Sequence, residues 1–169
     1  MTDFAHTFIA RSRYYLSEDF FPKIERCLEE LSDEDVWWRP NEASNSVGNL
    51  VLHVAGNVRQ WIISGIGGAP DLRDRDQEFA QRAPIAVQRL LERLSATVRE
   101  ADAVLAGLDP SRLVEPRRIQ GFDMTVGSAI YHVVEHFGMH TGQIVLLTKH
   151  RLGKDLKLTR LPASDAPEE

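Results

Sequence analysis

The chain has 169 residues, of which 43% are hydrophobic and 27% are charged, and these values are ordinary for one globular domain. Its formal net charge is −5 at neutral pH, which excludes a surface built to neutralise nucleic-acid phosphates, because such a surface needs clustered Lys and Arg. Cys27 is the only cysteine in the sequence, so an intrachain disulfide and a cysteine-rich zinc site are also excluded.

The ends of the chain show no targeting pattern. The sequence contains no basic-then-apolar leader and no apolar run of membrane-spanning length, so we expect a cytoplasmic protein with neither a membrane nor a nucleic acid as partner. We expect a single domain over residues 1–160. Residues 161–169 have the composition of a flexible tail.

A first long helix is predicted over about residues 4–31, where apolar side chains recur at helical spacing. Pro22 lies inside this stretch and should kink or split the helix near its own position. Ser32 then resembles an N-cap. A short helix over residues 36–38 should follow and stop at Pro40.

A second long helix is predicted over about residues 47–64, and Gly65 and Pro70 should end it. The next twelve residues, DLRDRDQEFAQR at 71–82, carry charges of both signs. We expect them to form a solvated surface connection that is helical at most in part. The whole stretch from Gly65 to Ala83 is long enough to cross a helical bundle from one end to the other.

A third helix should start at Pro84, which suits a first helical position, and end near Gly107. Residues 111–124 read as a connection without a convincing sheet. The fourth helix should run from Thr125 to about Arg151. Four long helices with almost no strand signal predict an all-α four-helix bundle with a long crossover between helices 2 and 3.

Histidines form the main chemical pattern of the chain. The stretch YHVVEHFGMHTGQ, read as a helix, places His132, His136 and His140 one turn apart. His53 lies beside the apolar stripe of the second helix. Imidazole is the commonest protein metal ligand, and two His at i and i+4 often hold one ion. The pattern predicts an open metal site shared by His53, His136 and His140. The alternative is a set of unrelated His residues on half-exposed helix faces.

The order of these motifs resembles the DinB/YfiT-like superfamily of metal-binding four-helix bundles. The resemblance rests on His53, the pair His136 and His140, and the following Gly142-Gln143. The stretches LSDEDVWWRPN, SNSVGNLVLHVAGN and RDRDQEF are similar to the same superfamily, the last two to one uncharacterised branch. The role of the last stretch, which spans Arg73 to Phe79, is left open.

The resemblance implies a bundle with a crossover, a divalent ion held by the three His residues, and a homodimer. The implied ion is nickel or zinc first, with iron or manganese as alternatives. Characterised relatives include transferases and isomerases that use low-molecular-weight bacterial thiols. A small-molecule substrate, together with such a thiol, is therefore the implied partner.

Three further side chains are candidates for contact with the ligands rather than with the ion. His132 lies outside the triad of the superfamily and is a ligand contact, a proton shuttle or a surface residue. Asn57, four residues after His53, and Gln143, three residues after His140, are expected to line the site. The catalytic group itself is unknown beyond a metal-bound water or thiol.

Two classes of function remain open. An open three-His site lowers the pKa of a bound water or thiol, which predicts a metal-dependent hydrolase or thiol transferase. The alternative is a non-catalytic metalloprotein with a structural, stress-response or partner-binding role. A helical bundle in which the His residues have no joint role is a third and weaker hypothesis.

The homodimer has a second argument in the sequence. Trp37 and Trp38 are adjacent, so both cannot face one core, and one ring should reach the surface or a partner. Trp61 and the pair Ile62-Ile63 add apolar area nearby in sequence. Two-fold dimers are the commonest soluble homo-oligomers. The alternative is that Trp37 packs under the first loop while Trp38 lies flat on its own bundle.

Overall fold

The computed structural model describes residues 4–82 and 84–158. In chain order its elements are α1 (Phe4–Tyr14), a π-helical turn (Tyr15–Phe20), α2 (Phe21–Glu30), a 3-10 turn (Asp35–Trp37), α3 (Val47–Val58), a second π-helical turn (Arg59–Ser64), α4 (Arg75–Ala80), α5 (Val87–Ala106), a 3-10 turn (Pro110–Val114), β1 (Pro116–Ile119), β2 (Phe122–Thr125) and α6 (Val126–Leu152). The predicted all-α bundle with a long crossover between its second and third long helices is confirmed.

The first long helix is interrupted where the sequence predicts. The π-helical turn ends at Phe20, and α2 begins at Phe21 with Pro22 in its first turn. Proline lacks a backbone N–H, and its ring clashes with the carbonyl four residues earlier. The π-helical turn lies directly before this proline, where the regular α-helical hydrogen bond is lost.

The central helix of the bundle is α3. All of its residues are buried, because it packs against α4, α5 and α6. Its first turn is fixed by a capping box, in which the Ser46 side chain accepts from the Asn49 N–H and the Asn49 side chain accepts from the Ser46 N–H. A helix buried on every side places His53 in the interior, with only 5% of its surface exposed.

The crossover between α3 and α5 lies against α3 instead of standing in solvent. The Asn49 side-chain amide donates to the carbonyl oxygens of Glu78 at 2.8 Å and Gln81 at 3.2 Å. The expectation that this segment is helical in part is confirmed by α4. The expectation of a solvated surface is wrong for Arg73 and Glu78, whose side chains are only 4% and 6% exposed.

Two local expectations are corrected by contacts that are distant in sequence. The third long helix begins at Val87 and not at Pro84, because the Val87 N–H donates to Asp33 Oδ1 at 2.7 Å. The connection before α6 contains an antiparallel hairpin in which Ile119 pairs with Phe122. Its turn, Gln120-Gly121, has φ angles of 53° and 85°, as tight hairpin turns require.

The tryptophan and isoleucine side chains that suggested a dimer surface make their contacts with other residues of the same chain. The Trp37 indole N–H donates to the Ile85 carbonyl oxygen at 3.0 Å. The Trp38 ring lies 5.6 Å from the His150 ring, on α6. The segment from Trp61 to Ile63 is buried. Trp38 follows the alternative in which it lies on its own bundle, so the tryptophan pair gives no support for a homodimer, and the homodimer stays a prediction.

The expected tail at residues 161–169 lies outside the described residues. Among the helices that are described, none has the length and apolar character needed to cross a membrane.

Candidate metal centre

Three imidazole rings from two helices meet in the interior of the bundle. His53 comes from α3, and His136 and His140 come from successive turns of α6. The His136 Nε2 atom lies 3.0 Å from His53 Nε2 and 3.2 Å from His140 Nε2. One potential ligand atom from each of the three residues lies within 4.8 Å of the others. The structure therefore brings together the triad that the sequence predicts.

The other nitrogen of two rings decides where the ring protons are. His53 Nδ1 lies 2.9 Å from Glu78 Oε2, and His140 Nδ1 lies 2.7 Å from Gln143 Oε1. Both partners are acceptor oxygens, so each Nδ1 carries the hydrogen and each Nε2 presents a lone pair. These two lone pairs face His136 Nε2, which can offer at most one hydrogen. The cluster is thus short of donors.

A divalent cation fits this donor set. Zinc–nitrogen bonds of about 2.0–2.1 Å put tetrahedral ligands about 3.4 Å apart, close to the two Nε2 separations of 3.0 and 3.2 Å. The three imidazoles could therefore hold one divalent ion, since one potential ligand atom of each lies within 4.8 Å of the others. Three protein ligands leave a coordination position for water or substrate, as in catalytic sites.

Burial keeps the two imidazoles of α6 in the triad, His136 and His140, neutral. Burial, followed by the neighbouring imidazoles of His140 and His53, lowers the pKa of His136 to about 3. Burial also lowers the pKa of His140, although the hydrogen bond with Gln143 opposes it. Neutral imidazole is the form that binds a metal, so His136 and His140 are in their ligand form at neutral pH.

The side chains expected around the triad have different positions. Gln143 contacts His140 directly through the bond just described. His132 lies half-buried against Trp61, with ring centroids 4.2 Å apart, and its ring is 5.4 Å from that of His136. The Asn57 amide Nδ2 is 3.5 Å from His132 Nε2, so this bond links Asn57 to His132 rather than to the triad.

A polar cluster next to the triad has unmet hydrogen bonds. Within the described residues, Asn57 Oδ1, Trp61 Nε1 and His136 Nδ1 are buried and have no hydrogen-bond partner. His132 contacts both Asn57 and Trp61. Burial lowers the pKa of His132, so its ring is neutral at neutral pH. Buried polar groups of this kind usually bind water or a ligand.

An ion pair of the crossover supports His53 from behind, and sequence reasoning missed it. The Arg73 guanidinium binds both oxygens of Glu78, from Nε to Oε1 at 2.8 Å and from Nη2 to Oε2 at 2.9 Å. Arg73 Nη2 also lies 3.2 Å from His53 Nδ1, but both groups are donors, so the carboxylate is the partner that joins them. Burial alone raises the pKa of Glu78, but hydrogen bonds from Arg73 and His53 outweigh it, and the pKa lies below its ordinary value.

The sequence carried only a weak signal for this pair. The stretch RDRDQEF alternates charges without an apolar period, which is typical of a solvated segment. Its inclusion among the stretches that resemble one branch of the superfamily was the one indication that it has a role. Nothing in its spacing indicates that Arg73 and Glu78 are buried while neighbouring charges are exposed.

A comparison with protein families decides where the chain belongs. The sequence model of the family described as mycothiol-S-transferase matches residues 15–149. The match covers most of the chain and includes the three converging histidines. The chain belongs to the mycothiol-S-transferase family. This match confirms the expected membership of the DinB/YfiT-like superfamily. A comparison with curated protein sequences found no match.

Two solved structures resemble this member of the mycothiol-S-transferase family in fold. A conserved protein from Enterococcus faecalis has a TM-score of 0.70 at 18% identity, and the match covers 86% of this chain and 97% of that protein. A DinB-like protein from Bacillus cereus ATCC 10987 has a TM-score of 0.67 at 16% identity, with 88% and 93% covered. At such low identity the likeness shows the DinB-like fold alone.

Proposed function

We propose that this protein is a metal-dependent transferase that joins a low-molecular-weight thiol of the mycothiol type to a small electrophile. The proposed ligands of the divalent ion, nickel or zinc, are His53, His136 and His140. The observation that carries the proposal is the convergence of their Nε2 atoms, with two lone pairs facing a third ring that has too few hydrogens to satisfy them. The family match supplies the thiol.

The chemistry divides between the ion and the side chains around it. When bound in an open three-His site, a divalent ion lowers the pKa of a thiol, so that the thiolate exists at neutral pH. The chain holds the ligands on two packed helices, which keeps the reacting position fixed. His132 is neutral and close to His136, and we propose that it takes up the thiol proton.

The transfer step forms one bond and breaks one. The thiolate sulfur forms a bond to the electrophilic carbon of the substrate, and the leaving group departs with its electron pair. A cleft of about 300 Å³ between the loop before α3 and the outer face of α6 is our proposed binding place for the small molecule, a volume at the lower end for ligand pockets. Its lining includes residues 43–45 of that loop, Gln143, which contacts His140, and the exposed Leu146.

The test is metal-dependent consumption of a thiol. Protein stripped of metal by a chelator, and then reconstituted with nickel or zinc, is mixed with mycothiol and an alkylating electrophile, and loss of free thiol is followed. With the ion, we expect the thiol to be consumed faster than in the uncatalysed reaction, and without the ion we expect only the uncatalysed rate. The same rate in stripped and reconstituted protein would contradict the proposal. A firmly bound ion without any catalysed thiol consumption would favour the non-catalytic metalloprotein.

We further propose that the protein is a homodimer and that residues 1–160 form its single domain. On the exposed face of α6, Tyr131, Met139 and Leu146 are 66%, 47% and 68% exposed, and they form a stripe that is apolar apart from the exposed Glu135 between them. Spacings of eight and seven residues keep these side chains in one sector of a helix, and two copies could bury the stripe across a two-fold axis.

We propose a cytoplasmic site of action, because low-molecular-weight thiols are kept reduced there.

A further inference from the structure

The Glu78 carboxylate is buried, and among the described residues it accepts hydrogen bonds from two side chains, those of His53 and Arg73. Oε2 accepts from His53 Nδ1 at 2.9 Å and from Arg73 Nη2 at 2.9 Å. Oε1 accepts from Arg73 Nε at 2.8 Å. The carboxylate therefore connects a candidate metal ligand to a fixed positive charge.

Stability alone does not account for an ion pair at this position. Burying two charges costs desolvation energy, and apolar residues of similar volume often replace such a pair without loss of stability. What an apolar pair cannot do is accept the N–H of a metal-binding imidazole. That hydrogen bond fixes the tautomer and the orientation of the ring and raises its basicity as a ligand.

Further contacts fix the ion pair itself. The Arg73 guanidinium also donates from Nη1 to Gln60 Oε1 at 2.9 Å and from Nη2 to the His53 carbonyl oxygen at 3.4 Å. The Glu78 backbone is held by the Asn49 amide. The guanidinium thus binds both the carboxylate and the backbone of the histidine that the carboxylate orients.

The facing helix leaves room for this carboxylate. A Cβ atom added at Gly56 would lie 1.8 Å from Glu78 Oε1 and 3.0 Å from Arg73 Nε. Glycine in the middle of a helix is less favourable than alanine, so its presence here has a local cost. The bare backbone of α3 at Gly56 is what admits the carboxylate to His53.

We propose that Glu78, held by Arg73, is the positioning residue for His53 and sets the affinity of the three-His site for its divalent ion. The inference rests on the metal site proposed above. It assigns a function to the crossover, which supplies none of the three proposed ligands but carries Glu78, the residue that orients His53. Loss of such a supporting bond lowers metal affinity by about 10- to 100-fold in comparable sites.

The experiment measures the zinc dissociation constant of the full chain by competition with a chromophoric chelator. Glu78→Gln keeps the size of the side chain and removes its charge, and we expect zinc to bind about 10- to 100-fold more weakly. The matched control is Glu29→Gln, because Glu29 forms a half-exposed Arg–Glu pair with Arg26 at 3.5 Å on α2, and α2 carries no residue of the triad. We expect its zinc affinity to stay within about twofold of the parent, as for other exposed pairs.

A second variant displaces the carboxylate without removing it and covers the case in which Glu78→Gln does not fold. Gly56→Ala should weaken zinc binding at least about tenfold through the displaced carboxylate. Its control is Gly142→Ala on α6, where an added Cβ meets nothing within 4 Å. Cobalt-substituted protein adds a spectroscopic readout, because a reoriented His53 changes the visible absorption bands of the bound ion, whereas a purely structural role of Glu78 leaves them as they are.

The outcomes separate this inference from the proposed function. A parent protein that binds no zinc would overturn the metal site and this inference with it. A parent that binds zinc, with folded variants at Glu78 and Gly56 that bind it within twofold of the parent and keep the cobalt spectrum, would overturn the positioning role alone.

Discussion

At the scale of single residues, the hydrogen-bond partners of the imidazoles determine what the site can bind. His53 and His140 each have an oxygen acceptor at Nδ1, and this leaves their Nε2 lone pairs directed at the shared centre. Without a cation, the Nε2 atoms of the three histidines would lower the stability of the fold, because burying polar atoms that lack hydrogen-bond partners costs free energy. Metal content is therefore the measurement closest to the chemistry of the triad.

The first prediction concerns the three ligands. Replacing His53, His136 or His140 singly with Ala should remove the ion, because two imidazoles alone hold a divalent ion more weakly than three. The measurement is metal per chain after purification and dialysis. His132→Ala is the control, and its metal content should stay close to that of the parent. Full metal content in any of the three ligand variants would contradict the triad.

The second prediction concerns pH and the metal-free protein. The pKa of His136 is about 3 in the folded chain, against about 6.5 when unfolded, so below pH 6.5 the unfolded state binds more protons. The free energy of unfolding should then fall as the pH drops from 7 to 5, by at most about 1.4 kcal/mol per pH unit for this residue. His132 and His140 have pKa values lowered in the same direction and should add to the slope.

Urea unfolding of chelator-treated protein at several pH values checks this second prediction. The window stays above pH 5, where carboxylates remain ionised and add little to the slope. In His136→Gln the slope should be smaller by the share of one histidine. A free energy of unfolding that does not change between pH 7 and pH 5 would contradict the burial of neutral imidazoles.

At the scale of elements, the docking of the crossover on α3 is the feature that completes the site. The Asn49 amide connects the buried helix to two carbonyl oxygens of the crossover, those of Glu78 and Gln81. This contact is formed by the same side chain that caps the start of α3. One residue thus sets both the start of the helix and the position of Glu78.

The third prediction is that Asn49→Ala destabilises the protein by about 2 kcal/mol or more, because buried carbonyl groups lose their donors. Urea unfolding gives the change, and limited proteolysis should show faster cleavage between residues 65 and 86. The control is Asn41→Ala. The exposed Asn41 side chain accepts from the Ser44 hydroxyl at 2.9 Å, and we expect a change below about 0.5 kcal/mol. Equal stability of the two variants would contradict the docking role of Asn49.

At the scale of the whole molecule, the stripe on α6 decides the expected oligomer. The stripe of Tyr131, Met139 and Leu146 is exposed along one sector of the longest helix described, and it is apolar apart from Glu135. Exposed apolar surface of this kind often marks an interface. It replaces the tryptophan pair, which packs on its own chain, as the basis for the dimer.

The fourth prediction is a mass near twice the chain mass of 19.1 kDa by light scattering at micromolar concentration. Met139→Lys should shift the mass to that of the monomer, since the two-fold axis would bring like charges together on a buried stripe. Leu72→Lys is the control, because Leu72 is 85% exposed but lies on the crossover, and it should remain dimeric. A parent mass near 19.1 kDa would reject the dimer.

Local patterns in the sequence determined the helices and two of the three candidate ligands. The apolar period places the four long helices within a few residues of their observed ends, and Pro22 marks the interruption of the first. His136 and His140 share a helix face because residues four apart are always neighbours on a helix. His53 could be proposed as the third ligand because it lies beside an apolar stripe that had to be buried.

Tertiary structure alone decided the groups whose partners are far away in the chain. Asp33 sets the start of α5 through the Val87 N–H, and the Arg73–Glu78 pair becomes buried only because the crossover lies on α3 at a bare Gly56. A charged side chain in a polar stretch has the same local pattern whether it faces water or an imidazole. Its role depends on which surface packs against it, and periodicity within one segment carries no information about that surface.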